Sequence, residues 1–277
     1  MSASIEKLFD NLHKLPQVPE VVRTLINQLN DPHAELLDIV KTVEKEQVIA
    51  LKVLRLVNSA HFGLSRKVGS LSEAVLLIGM GQLKTLVIAS GLVASVPSLQ
   101  NFDLRKFWST SFRAAEYAKW FAARAGVDAD VAFTAGLIGG MGKLLIHMAY
   151  PSESNEIEQH AKAGHLSRPD VERKRIGFTN QQACAELFRR WKFADELIDA
   201  INQSAEPLTW ENPSALAYVV HLAQFISYCI DCNMPKETIE QNFPYPVAEK
   251  LGLDRDAVDA DLCELLLLES PLEDLAA

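Results

Sequence analysis

The 277-residue chain holds only four cysteines, Cys184, Cys229, Cys232 and Cys263, too few and too scattered for a disulfide framework. Cys229 and Cys232 form a lone Cys-x-x-Cys with no second pair and no nearby His-x-x-x-His. They read as small apolar residues near a helix end, reduced in a cytoplasmic setting, rather than as a zinc or redox site. No uninterrupted apolar run approaches the roughly 20 residues of a membrane span. Met1 to Lys7 lacks the basic-then-apolar order of a signal peptide. The expectation is a cytoplasmic protein with no membrane partner. Strand-like alternation, low-complexity linkers, a Ser-His-Asp or Cys-His nucleophile pattern and a phosphate-cradling glycine loop are also missing.

Positive charge is scarce in one place. Residues 205–277 carry 3 Lys+Arg against 14 Asp+Glu, and the rest of the chain is close to balanced, so the net charge of −9 lies in the last quarter. That distribution argues against a broad nucleic-acid or anionic-membrane surface. It leaves room for a small local basic site.

What is present is helical spacing. Ser4 suits an N-cap for Ile5, Leu8, Phe9 and Leu12, and Pro19 suits the first turn of a helix burying Val21, Val22, Leu25, Ile26 and Leu29. A third stripe follows at Leu36, Leu37, Ile39, Val40 and Val43. Val48 to Val57 reads as a very apolar, central helix. Asn58 to Gly63 reads as a helix exit and turn. Ser70 and Glu73 have capping-box spacing, as do Thr179 and Gln182. Gly79-Met80-Gly81 breaks a helix before Gln82 to Val96. Asp103, Asp128, Asn212 with Pro213, and Asp254 mark further helix starts. Pro235, Pro244 and Pro246 punctuate a loop with short turns. The reading is an all-α protein.

The most unusual stretch is Ala135 to Ile146, which passes three glycines in four positions, at Gly139, Gly140 and Gly142. Glycine costs about 1 kcal/mol against alanine inside a helix. The cluster therefore marks a helix break, a close backbone approach, or a place where side chains have been lost.

Gly142-Lys143-Leu144 resembles the close of the small-Leu-Leu-His-Asp-Ile-Gly-Lys-Leu stretch of HD metal-dependent phosphohydrolases, with the metal-binding His-Asp pair replaced by Gly139-Gly140. Earlier residues sharpen the resemblance. Leu15-Pro16, Val18-Pro19-Glu20, Asn30-Asp31-Pro32, Leu54-Arg55-Leu56, Asn58-Ser59-Ala60, Phe62-Gly63, Ser72 to Val75 and Leu77-Ile78-Gly79 are similar to the N-terminal half of the HDOD family, the HD-related output domain. Glu46-Gln47 departs from that pattern, where Asp-Pro is usual.

The resemblance implies a multi-helix HD-like architecture. An HDOD domain would span residues 12–210, with an N-terminal helical half over 12–100 and a degenerate HD core over 101–210. An acidic helical extension over 211–277 would pack on that core. The resemblance also implies where metal ligands would stand: Thr110 for the first His, Gly139 and Gly140 for the pair, Asn180 for a later His, and Gln224 for the final Asp. None is a strong divalent-metal ligand of the family type. The family-type site is therefore read as lost, with no cofactor. His147 and His221, among apolar neighbours, read as structural histidines, and a new site including them stays open.

Trp108, Phe112, Trp120 and Phe121 read as core aromatics at helical spacing. Arg173 and Arg175, with Arg189, Arg190 and Lys192, make either a local basic patch for a phosphate-bearing ligand or a solvated helix face. Asn58 and Ser59 make either a partner contact or a helix ending, in which Asn58 uses left-handed backbone and its side-chain amide. Lys143 is a further ligand candidate.

The resemblance implies a non-catalytic signal-transduction module of bacterial type that binds a separate signalling protein or a small ligand, its signal arriving from another molecule. The alternative is a phosphohydrolase with a rearranged metal site. Nucleic-acid binding through the N-terminal helices is the weakest reading.

Overall fold

The computed structural model describes residues 4–12, 17–27, 36–59, 62–64, 66–162, 167–268, 270, 272 and 275, with only the backbone of residues 27, 36–39 and 162. The expectations for Leu15, Pro16, Leu29, Asn30 to Pro32 and Ala60, and for the side chains of Leu36, Leu37 and Ile39, lie outside what is described.

The helices run α1 (Ile5–Asn11), α2 (Glu20–Asn27), α3 (Leu36–Glu44), α4 (Gln47–Val57), α5 (Leu71–Ile78), α6 (Met80–Ser95), α7 (Leu104–Ala125), α8 (Ala129–Ile138), α9 (Met141–Ala149), α10 (Pro151–Lys162), α11 (Arg168–Ile176), α12 (Asn180–Arg190), α13 (Asp195–Gln203), α14 (Ala215–Asp231), α15 (Lys236–Asn242), α16 (Tyr245–Glu249) and α17 (Arg255–Leu266). No strand occurs among the described residues. The fold is all-α.

The caps largely follow the chemistry of their residues. Ser4 accepts from the Lys7 N–H, Asp103 from Lys106, and Asp254 from Ala257. Thr179 and Gln182 complete a reciprocal capping box. Ser70 makes only half of one. Its hydroxyl accepts from the Glu73 N–H, but Glu73 turns to the Gly69 N–H and to Arg66. The start of α14 differs from expectation, because Ser214 rather than Asn212 caps it. Pro235 and Pro244 each immediately precede a short helix, α15 and α16, and Pro246 sits in the first turn of α16. Proline lacks the N–H that a first turn leaves unpaired, so it starts helices as readily as it ends them.

The chain divides into two compact units, Met1–Leu15 with Arg113–Leu268, and Pro16–Phe112 with Glu269–Ala277. In the second, α6 lies among α2, α4 and α5. It buries Leu83, Leu86, Val87, Ile88 and Leu92, and full burial of such a side chain contributes about 2 kcal/mol. Gly91 permits this packing: a Cβ there would fall 2.1 Å from the Val22 Cγ2. α4 is not wholly internal as its composition suggests. Ile49, Val53, Leu56 and Val57 are buried, whereas Val48 and Leu51 face solvent.

In the first unit the rod formed by α8 and α9 is almost wholly buried. Ala129–Ala149 is long and apolar enough to cross a membrane, contrary to the sequence expectation, but most of it lies inside this unit as a core helix pair. α9 packs on α10 and α12, α12 on α13, and α14 on α8 and α13; α1 covers α9 and α12. Two glycines allow backbones to touch. A Cβ at Gly136 would lie 2.6 Å from the Ala114 carbonyl oxygen on α7, and one at Gly142 would lie 1.8 Å from the Asn180 carbonyl oxygen on α12.

Backbone cannot swing aside as a side chain can, so Gly142→Ala is expected to cost about 3 kcal/mol in a urea titration. Gly69→Ala, whose methyl would meet open space, is expected to leave the midpoint within about 0.5 kcal/mol of wild type.

Candidate functional site

Gly139 and Gly140 join α8 to α9 with right-handed backbone, at φ −59° and −83°. Neither glycine is required by its dihedrals. The reason for Gly139 is space. A Cβ there would stand 2.7 Å from the Gln224 Nε2, 2.9 Å from the Ala135 carbonyl oxygen and 3.3 Å from the Ile201 Cδ1. The Gln224 amide, carried by α14, occupies the volume into which a side chain from position 139 would grow. Its Oε1 accepts from the Gln181 Nε2 at 3.3 Å. Gly139, Gln224 and Gln181 are thus gathered in one place, and Asn180 lies against Gly142 on the same helix pair. Thr110 belongs to the other unit. Its hydroxyl donates to the Lys106 carbonyl oxygen one turn back on α7, at 2.9 Å.

Beside these neutral amides sits a charged cluster that the sequence analysis missed. Glu172 is fully buried. Its carboxylate accepts from the Asn180 backbone N–H at 2.7 Å, from the Asn180 Nδ2 at 3.0 Å, and from the Arg168 Nε at 2.8 Å. Asn180 is the first residue of α12, so Glu172 rests on that helix's positive end. Arg168 also donates to Glu158 at 2.7 Å, and the two carboxylates hold its guanidinium protonated against the cost of burial. Arg113 pairs with Asp231 in the same unit, joining α7 to α14. The one local signal was Arg168 standing four residues before Glu172 on one helix face.

Lys143 is half-buried on α9 and forms no ion pair among the described residues. Burial, and then the positive charge of Arg168, lower its pKa; Glu158, Glu172 and Asp231 act in the opposite sense. Two buried amide oxygens, Asn180 Oδ1 and Gln181 Oε1, have no hydrogen-bond partner among the described residues. The site can therefore offer an amine and two acceptors.

The donor set does not fit a family-type metal. Among the described residues no group of three or more His, Cys, Asp or Glu could hold one. Gly139 has no room for a ligand unless Gln224 moves, and Glu172 is taken up by Arg168 and Asn180. His221 directs Nδ1 at the Ser204 carbonyl oxygen at 2.8 Å, and burial lowers its pKa. His147 is buried on α9. Cys229, buried on α14, has its thiol pushed up to about 12 by burial, with Cys232 a lesser cause, so it stays protonated.

The other candidates are engaged. Arg173 pairs with Glu206 and Asp170, and Arg175 with Glu156 at 2.9 Å and His160 at 2.7 Å. Asn58 ends α4, though with φ −85° rather than left-handed backbone. Its Nδ2 donates to the Val68 carbonyl oxygen at 2.9 Å and its Oδ1 accepts from the Val68 N–H at 2.7 Å. The side-chain amide thus imitates a strand partner. The Ser59 Oγ is buried with no hydrogen-bond partner among the described residues.

Removing one member of a buried charged pair leaves the other uncompensated. Glu172→Ala is expected to lose about 3 kcal/mol in chemical denaturation, and Glu172→Gln less, because it keeps the shape and an acceptor. His221 has its own signature. The unfolded imidazole titrates near about 6.5 and the folded one lower, so the unfolded chain binds more protons between the two values. Stability present above that pH is lost as pH falls towards the folded value. Thermal midpoints measured from pH 7.5 to about 5 should fall less steeply for His221→Asn than for wild type.

Comparison with known proteins places this geometry. The family model for the HDOD domain matches residues 15–207. An uncharacterized protein of Treponema pallidum (strain Nichols) is 23% identical over 236 residues, covering 84% of this chain and 46% of that protein. The chain thus spans about half the length of the curated relative it matches. Among solved structures, a "putative phosphohydrolase" from Shewanella amazonensis SB2B is 27% identical, with a TM-score of 0.77 and 98% of each chain covered. An HDOD domain protein from Geobacter sulfurreducens is 20% identical, with a TM-score of 0.77 over 99% of this chain and 97% of the other. A protein from Marinobacter aquaeolei VT8, named for signal transduction, is 21% identical at a TM-score of 0.78, over 98% of this chain and 63% of the other. On the family match and the helical HD-like fold together, this chain belongs to the HDOD domain family.

Proposed function

We propose that this chain is a regulatory module that acts by binding, not by metal-dependent hydrolysis. One observation carries the reading: the Gln224 amide fills the space beside Gly139 where the HD pair's first ligand would project. Lewis-acid hydrolysis of a phosphate ester needs ions held by several imidazoles and carboxylates. The groups at the matching positions are a threonine hydroxyl, glycine backbone and neutral amides, and the buried carboxylate of Glu172 is neutralised. What remains suits recognition. Lys143 supplies a half-buried cation, and the two free amide oxygens supply acceptors, for a small ligand or a partner's side chain. The name of the Marinobacter protein is in keeping with a signalling role.

The name of the Shewanella protein favours a second reading, hydrolysis at a metal site rebuilt from other groups, with His147 and His221 as its candidate histidines. The two readings separate on metal content. Purified chain exposed to manganese, iron and zinc and then desalted is expected to keep close to no metal, and to leave nucleotide substrates intact. One or two tightly held ions per chain with turnover would establish the second reading. Restoring the pair alone, as Gly139→His with Gly140→Asp, is expected to bring no metal binding, because Asn180 and Gln224 would still lack ligand chemistry. Elemental analysis of that double variant gives the answer directly.

A further inference from the structure

α4 presents a face that packing does not explain. Its inner side buries Ile49, Val53, Leu56 and Val57. Its outer side carries Val48 and Leu51, which are 62% and 69% exposed. α5 packs against α4 in the same unit and adds Leu76 and Leu77, 82% and 46% exposed. One exposed leucine is ordinary. Four large apolar side chains on two packed helices concentrate the unit's exposed apolar surface, and such concentration marks contact surfaces.

The charges around Val48 and Leu51 are ordered. Acids outnumber bases at the N-terminal end, where Glu44 closes α3, Glu46 stands at the N-cap of α4 and the exposed Lys45 lies between them. Cations stand towards the C-terminal end, at Lys52 and Arg55. None of these five forms an ion pair among the described residues. The exposed series Glu44, at the end of α3, and Val48, Leu51 and Arg55, on α4, reads acid, apolar, apolar, base, and its positions along the sequence are symmetric about the bond between Ile49 and Ala50.

Such an order is self-complementary in one arrangement. If α4 meets a second α4 running antiparallel across a two-fold axis at that midpoint, Val48 of each copy meets Leu51 of the other, and the Glu44 end of each meets the Arg55 end of the other. A parallel pairing would set Arg55 against Arg55. A uniformly acidic partner would be attracted at one end and repelled by Glu44 and Glu46 at the other. We infer that the occupant of this face is a second copy of the chain, docked through α4 as an isologous antiparallel pair with α5 extending the contact. A two-fold contact of this kind closes on itself and stops at the dimer. Stable interfaces bury about 800 Å² per partner. Four apolar side chains and their flanking charges form only part of that, so the dimer is concentration-dependent.

Sedimentation equilibrium of the full chain from about 1 to 200 μM, a range that brackets micromolar association, tests the inference. The expected result is a mass that rises with concentration towards twice the chain mass and no further. Leu51→Asp should hold the mass at one chain throughout, with its circular dichroism and thermal midpoint unchanged because position 51 is exposed. Glu44→Arg and Arg55→Glu should each weaken association about tenfold, and the two together should restore it, the coupling expected of opposed charges. A single-chain mass across the whole range would overturn the inference. So would a dimer indifferent to Leu51→Asp, a species larger than two chains, or a double swap no better than either single one.

Discussion

The contact between α9 and α12 is the constraint on which the core of the larger unit depends. At Gly142 the two backbones come so close that a methyl group would overlap the Asn180 carbonyl oxygen. That approach fixes where α12 begins. The beginning of α12 in turn fixes where Glu172 can rest, since its carboxylate is held by the first residue of that helix. Arg168 then has a buried partner, and α10 is tied in through Glu158. A glycine, a helix terminus and a three-member charge chain are thus linked in sequence. The largely buried α8 and α9 supply the apolar packing beside this polar chain.

Much of the architecture was legible beforehand because its determinants are local. Ser4, Asp103, Thr179 and Asp254 each cap a helix with an atom that reaches three residues ahead. The family resemblance was legible for a different reason: its motifs are short and keep their spacing. Pairings across long separations were not. Arg113 and Asp231 are 118 residues apart, and nothing in either neighbourhood selects the other. Glu172 and Asn180 lie only eight residues apart, yet a turn and a change of helix separate them.

The glycine stretch shows what a sequence leaves undecided. Three explanations were open for glycines 139, 140 and 142, and two of them hold at different positions. Gly142 is a close approach, and Gly139 and Gly140 interrupt the helix between α8 and α9. The interruption is slight, since the backbone at 139 and 140 stays right-handed, and beside Gly139 the Gln224 amide fills the space a side chain would take. α4 makes the converse point. Its composition suggests a central helix, but hydrophobicity alone does not separate a side chain buried in the chain's own core from one kept for another molecule.

The crowding at Gly139 bears on history as well as on chemistry. A histidine appearing there by chance would have to displace Gln224 before it could gain anything, and would then find glutamine and asparagine where ligands are wanted. On the binding reading proposed above, each change towards a family-type metal site would be disadvantageous until the others had occurred. On that reading, the volume taken by one amide would act as a ratchet, leaving what such a chain recognises freer to change than its set of metal ligands.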